Sequence, residues 1–149
     1  MTVKQKIYNH YYQLLRDREN LLLQILSDLK ESAGNETKST AGDKYETALA
    51  MLQIEQANYR AQLLELQIQK AVFEKINPQI KTEKILPGSL VKTDLGIFFL
   101  CIALGKACID GKEIMAISPQ SPLGQKLLGS KKNDKIEMNK IHYTIEDIE

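Results

Sequence analysis

Two carboxylates three residues apart, Asp43 and Glu46, are the side chains best placed to do chemistry. They follow Gly42 and open a long helix-forming run. In that position they form a capping box: Asp43 caps the helix, Glu46 is its third residue, and both favour the positive helix end. On spacing alone this is much the commoner role. A paired carboxylate set also suits a hard cation, and Mg²⁺ commonly takes only one or two protein oxygens while other groups complete its shell. The two roles are compatible. Glu36, Lys44 and Tyr45 flank the acids as further contacts, and Thr37, Ser39 and Thr40 add hydroxyls.

Other reactive types are sparse. His10 and His142 are isolated and read as surface histidines. Cys101 and Cys108 sit among aliphatics with no Cys or His cluster, so buried thiols of a reducing cytosol are expected rather than a disulfide or zinc site. Lys126, Lys131, Lys132 and Lys135 gather near a short segment, most simply as a solvated loop. No glycine-rich phosphate loop and no Ser/His/Asp constellation is present, which leaves no catalytic residues of the chain's own.

The elements that must position the acids differ sharply between the two halves. The chain has 149 residues, 20 Lys+Arg against 19 Asp+Glu, and a formal charge of +1. That balance argues against a polybasic nucleic-acid coat or membrane binder. No apolar run approaches a membrane span, and the N-terminal residues show no signal-peptide core, so a cytoplasmic location is expected. All four prolines and six of the eight glycines fall from Pro78 onward. The composition therefore divides into residues 1–77 and 78–149.

In residues 1–77, Tyr8, Tyr11, Leu15, Arg18, Leu22, Ile25 and Leu29 recur at steps of three and four, as do Tyr45, Leu49, Leu52, Gln56, Tyr59, Leu63, Leu66, Lys70 and Phe73. This is the seam of an antiparallel coiled-coil hairpin, with a polar tip over about 32–46. Matching the two seams pairs Tyr8 with Leu66, Leu22 with Leu52, and Arg18 with Gln56 as a polar layer. Each helix would span roughly 45 Å at 1.5 Å per residue. Residues 78–149 read as strands over 88–93, 97–104, 113–118, 135–138 and 141–148, the last two joined by Asn139-Lys140. A short helix follows Ser121, with Pro122 first and Gly129 as its stop. The fold class is α+β: a helical hairpin and then a small α+β domain.

Three segments together resemble the bacterial Gre transcript-cleavage factors. Gly42-Asp43-Lys44-Tyr45-Glu46-Thr47-Ala48 resembles their tip motif, Gly-Asp-x-x-Glu-Asn-Ala. Ala116 to Gly129 resembles their Ile-Ser-x-x-Ser-Pro-(Leu/Ile)-(Gly/Ala)-x-x-Leu-(Leu/Ile)-Gly segment, and Pro87-Gly88-Ser89-Leu90-Val91 the start of their globular domain. The resemblance implies a coiled-coil N-terminal domain and an FKBP-like C-terminal domain. It implies a transcription elongation factor that binds RNA polymerase through the C-terminal domain, as a monomer, and meets nucleic acid only within the polymerase complex. The hairpin would enter the secondary channel, where Asp43 and Glu46 help hold a Mg²⁺ shared with the polymerase active site, no cofactor being bound tightly. The polymerase itself would then cleave backtracked RNA. Gln120, Ser121, Pro122 and Leu123 match the polymerase-docking segment. Thr47 stands where the family usually has Asn, and Gln120 where some relatives carry an acid. Relatives that share the channel can instead regulate or inhibit the polymerase without cutting RNA. An FKBP-like base also brings prolyl isomerase or chaperone activity to mind, but only Phe98, Phe99 and Tyr143 are available there to line a prolyl pocket.

Overall fold

The computed structural model describes the backbone of residues 1–36 and 42–149 and the side chains of residues 1–35 and 45–149. The order is α1 (Val3–Glu36), α2 (Gly42–Glu74), β1 (Leu90–Thr93), β2 (Gly96–Leu100), β3 (Gly105–Ile109), β4 (Lys112–Ile117), α3 (Pro122–Leu127), β5 (Lys135–Met138) and β6 (Ile141–Ile148). The fold is α+β, a long helical hairpin followed by a mixed six-stranded sheet domain. Two compact units are present: residues 13–70, and residues 1–12 together with 71–149.

In the first unit, α1 and α2 run antiparallel along an apolar seam. The inward positions of α2 are those its periodicity predicts, from Tyr45 through Leu52, Gln56, Tyr59 and Leu63 to Leu66 and Lys70. The seam of α1 differs at one place. Arg18 is exposed and Glu19 turns inward, where its carboxylate meets the Lys70 ammonium at 3.3 Å. Both side chains are about one-fifth exposed (20% and 18%). A half-buried ammonium needs an anionic partner, and a glutamate satisfies this where an arginine cannot.

The register is also displaced. Leu22 shares a shallow hollow with Arg18, Gln62, Glu65 and Leu66, and does not face Leu52. Ser32 to Glu36, expected in the polar tip, continue α1 as helix. Helix formers such as Ala33 and Glu36 favour this, and a lone Gly34 is tolerated near a helix end at about 1 kcal/mol.

In the second unit, the sheet order is β3-β4-β2-β1-β6-β5, with β2 and β4 parallel and the other pairs antiparallel. One face is covered by α3. Ile85, Val91, Phe98, Leu100, Leu123, Leu127, Ile145 and Ile148 form that core. The first turns of α1 and the end of α2 cover the opposite face. There Tyr11 and Phe73 each pack against Phe99 at 6.3 Å between ring centroids, and Tyr8 stacks on Phe73 at 4.7 Å. Tyr8 therefore meets Phe73 rather than Leu66. Strand β2 has both faces covered, which is why it reads as an unbroken apolar run instead of alternating.

The continuous strand expected over 97–104 ends at Leu100. Cys101, Ile102 and Leu104 stay buried beyond the strand end, with the Cys101 and Leu104 N–H groups still bonded to the Ile117 and Ala116 carbonyls, and Gly105, with φ +80°, starts β3. Strand β3 was not expected. It is an exposed edge strand whose residues show no alternation of polarity. Cys108 lies on it and is exposed, correcting the expectation of two buried thiols, while Cys101 is buried.

Two buried polar groups tie the N-terminal turns of α1 to this unit. The Tyr11 hydroxyl donates to the Gly105 carbonyl at 2.8 Å and approaches that of Ile114 at 3.3 Å. Burial, reinforced by the nearby Cys101, pushes its pKa up to about 12. Burial likewise pushes the Cys101 thiol up to about 12. The Lys4 ammonium donates to the Ile80 carbonyl at 2.7 Å, and burial lowers its pKa against the opposing pull of Glu149.

Candidate functional site

The tip acids sit at the start of α2. Helix α2 begins at Gly42, so Asp43 falls within its first turn and Glu46 is its fifth residue, near the helix N-terminus that favours negative charge. Glu46 is exposed and Tyr45 half-buried. The side chains of Asp43, Lys44 and Glu36 lie outside the described residues, as does the cap geometry expected of Asp43. Positions 43 and 46 are three residues apart along the helix and fall on one helix face. Among the described residues, no group of three or more His, Cys, Asp or Glu is placed to hold a metal ion.

The Ser-Pro segment is described in full and is tightly locked. Ser121 is extended (φ −63°, ψ 156°) and caps α3, its Oγ accepting from the Gly124 N–H at 3.0 Å. The same hydroxyl donates to the Ser118 carbonyl at 2.6 Å. Pro122 takes the first helical position, where its missing N–H costs nothing. Upstream, the Ser118 hydroxyl accepts from the Gln120 N–H at 3.1 Å and bonds the Gln120 side-chain oxygen at 2.5 Å. The Gln125 amide donates to the Gln120 carbonyl at 3.0 Å. At the far end Gly129, with φ +80°, stops the helix and donates to the Ile85 carbonyl at 2.8 Å.

This geometry sorts the four expected docking residues. Gln120 and Pro122 are exposed and available. Ser121 is half-buried, with its hydroxyl engaged in the cap. Leu123 is only 9% exposed and belongs to the core beneath α3, so it anchors the turn and does not present a surface. An i, i+4 spacing in a short helix accounts for this: Leu123 and Leu127 fall on one face and point inward together.

Two residues not singled out from the sequence prove important. Gln125 braces the turn, and Gly124 makes it possible. A Cβ on Gly124 would run into the Ser118 carbonyl oxygen and lie 2.9 Å from Ser121 Oγ. The Ser118…Ser121 spacing was the one available signal for both, since it implies a turn closed onto the helix start.

The lysines near this turn divide between two elements. Lys126, Lys135 and Lys140, with Glu137, line an open hollow between α3 and β5. Lys131 sits on the loop, where its N–H is held by the Asp134 carboxylate at 2.8 Å. His10 and His142 are both exposed. Among the described residues, no helix is long and apolar enough to cross a membrane.

No protein-family model and no curated protein matches the chain. The solved structure of the transcription factor Gfh1 aligns with 92% of this chain and 92% of its own, at 18% identity and a TM-score of 0.36. A likeness that coarse bears on no individual residue of this chain.

Proposed function

We propose that the chain is a Gre-type transcription elongation factor. It binds RNA polymerase through the sheet domain, with Gln120 and Pro122 at the contact. It presents the hairpin tip to the polymerase active centre through the secondary channel. Asp43 and Glu46 add oxygens to a Mg²⁺ that the polymerase also holds, and the polymerase hydrolyses the RNA. The chain is then a ligand donor and not itself an enzyme.

The observation that supports this most is the placement of the acid pair. The pair lies at the start of the 33-residue α2, which follows the 34-residue α1 in the chain. A capping pair needs no such length. The self-locked Ser-Pro turn adds a rigid exposed contact on a separate unit.

The deciding experiment is RNA cleavage in backtracked complexes made with polymerase from the same source. Wild-type protein should accelerate cleavage. Asp43→Asn combined with Glu46→Gln should abolish the acceleration while leaving polymerase binding within about twofold, because the double substitution keeps shape and removes charge. Equal cleavage by wild type and variant would refute the ligand role. A wild type that binds the polymerase and alters promoter output without cleavage would favour a non-cleaving secondary-channel regulator. Thr47, exposed beside the acids where the family motif has Asn, is the residue that favours this second reading.

A further inference from the structure

Helix α2 carries a second apolar stripe that the hairpin does not use. Its seam residues, Leu52, Gln56, Tyr59, Leu63 and Leu66, point toward α1. On the opposite side Met51, Ile54, Ala57, Ala61, Leu64 and Ile68 recur at steps of three and four, the same helical period. All six are exposed, and the four large ones strongly so: Met51 59%, Ile54 61%, Leu64 60% and Ile68 59%. Single exposed hydrophobics need no explanation, but a continuous helical stripe of them does. The flanks are also unusual for a solvent face. From Met51 to Ile68 the only charged residues are Glu55, Arg60 and Glu65, and the other flanking positions are the neutral amides Gln53, Asn58, Gln62 and Gln67.

We infer that this face pairs with the same face of a second copy, the two α2 helices running antiparallel. The stripe is complementary to itself. When Ala61 of one copy opposes Leu64 of the other, two-fold symmetry places Leu64 opposite Ala61. The same alignment sets Ala57 against Ile68 and Ile68 against Ala57. Each of these layers meets one small residue with one large one, which lets two helices approach closely without overpacking. The amide flanks bring no like charges together.

The area fits a weak, reversible association. The exposed parts of these six side chains amount to about 500 Å² per copy, or roughly 1,000 Å² across the pair, the lower end for a specific contact. The dissociation constant should then be on the order of tens of micromolar. Leu21 and Leu23 of α1 are also exposed, at 61% and 46%, but lie outside the stripe and serve as controls. The inference does not depend on the polymerase reading: at the low concentrations of a cleavage assay the protein is monomeric in either case.

Sedimentation equilibrium from about 1 to about 500 µM tests it, with far-UV circular dichroism confirming that each variant is helical. Wild type should shift from monomer toward dimer across this range. Leu64→Glu should raise the dissociation constant at least tenfold, and Leu21→Glu should leave it unchanged. The sharpest arm is an exchange. Ala61→Leu alone should weaken association by crowding leucine against leucine, and adding Leu64→Ala should restore it, because every layer again pairs small with large. A wild type that stays monomeric at about 500 µM, a Leu64→Glu variant that associates normally, or an exchange that fails to restore association would overturn the inference.

Discussion

Tyr11→Phe isolates one hydroxyl at the centre of the sheet domain. Tyr11 is fully buried, and its phenol oxygen reaches the Gly105 carbonyl at 2.8 Å and the Ile114 carbonyl at 3.3 Å. Phenylalanine keeps the ring packing against Phe99 and removes only the donor. A typical intramolecular hydrogen bond contributes about 1 kcal/mol net, and a buried carbonyl deprived of its donor adds a desolvation cost of about 1–3 kcal/mol. The Gly105 end is near solvent, so the lower part of that range applies and the expected loss is about 2 kcal/mol. With an m value of roughly 2 kcal/mol/M, the urea midpoint should fall by about 1 M.

The pH dependence provides an independent check on the same residue. The Tyr11 pKa rises from its usual value of 10.0 to about 12 in the folded protein. Between those limits the folded state keeps a proton that the unfolded state has released. Stability from this group is therefore fully present below pH 10 and is lost as pH rises toward 12, at about 1.4 kcal/mol per pH unit. Cys101, raised from 9.0 to about 12, acts in the same direction and starts at lower pH. Wild type should thus lose stability steeply above pH 10, and Tyr11→Phe should lose it less steeply because only its share disappears. An unchanged urea midpoint at neutral pH together with an unchanged alkaline slope would refute the assignment.

Gly124→Ala should destabilise the domain by about 1–3 kcal/mol, because the new methyl group would displace the Ser118 carbonyl that closes the Ser-Pro turn. Thermal unfolding measures the stability loss, and a polymerase pull-down should report weaker binding in the same variant. Lys140→Gly should instead stabilise the protein by about 0.5–1 kcal/mol: Lys140 holds φ +65° in the two-residue turn between β5 and β6, and glycine removes that strain. A lower melting temperature for Lys140→Gly would refute it.

Much of this architecture is legible in the residues, and the failures have specific causes. The inward face of α2 follows from periodicity because its seam is apolar almost throughout. The seam of α1 fails at one step, since Arg18 and Glu19 are both polar and both satisfy helical spacing. Only the position of Lys70 across the seam decides between them. Register is harder still: two apolar seams can slide by a turn at little cost, and here the Tyr8–Phe73 stack and the Glu19–Lys70 pair select one alignment. In the sheet domain, turn chemistry located Asp110-Gly111 and Asn139-Lys140, but edge strand β3 escaped because exposed strands need no apolar face.

The Ser-Pro turn was legible as a cap from Ser121 and Pro122 alone. That Leu123 faces the core is not legible, because a short helix gives too few turns to fix its inward side. The tip acids are the reverse case. Their position at the start of α2 follows from sequence, while their use depends on a partner that no local pattern encodes.

The sheet domain is assembled from distant parts of the chain, and this constrains the order in which it can be made. Tyr11 bonds a carbonyl 94 residues further on. Strand β6 lies between β1 and β5, and the backbones of Leu90 and Glu149 exchange two hydrogen bonds at 2.8 Å. A ribosome completes both long helices well before the strand that closes the sheet emerges. During that interval Ile7, Tyr11 and Phe73 have no sheet to cover, and the nascent chain exposes apolar surface that the finished protein hides. Folding of this unit is therefore expected to be late and concerted, waiting on the last strand, whereas the residue 13–70 hairpin, built from local helical contacts, can form as it is synthesised.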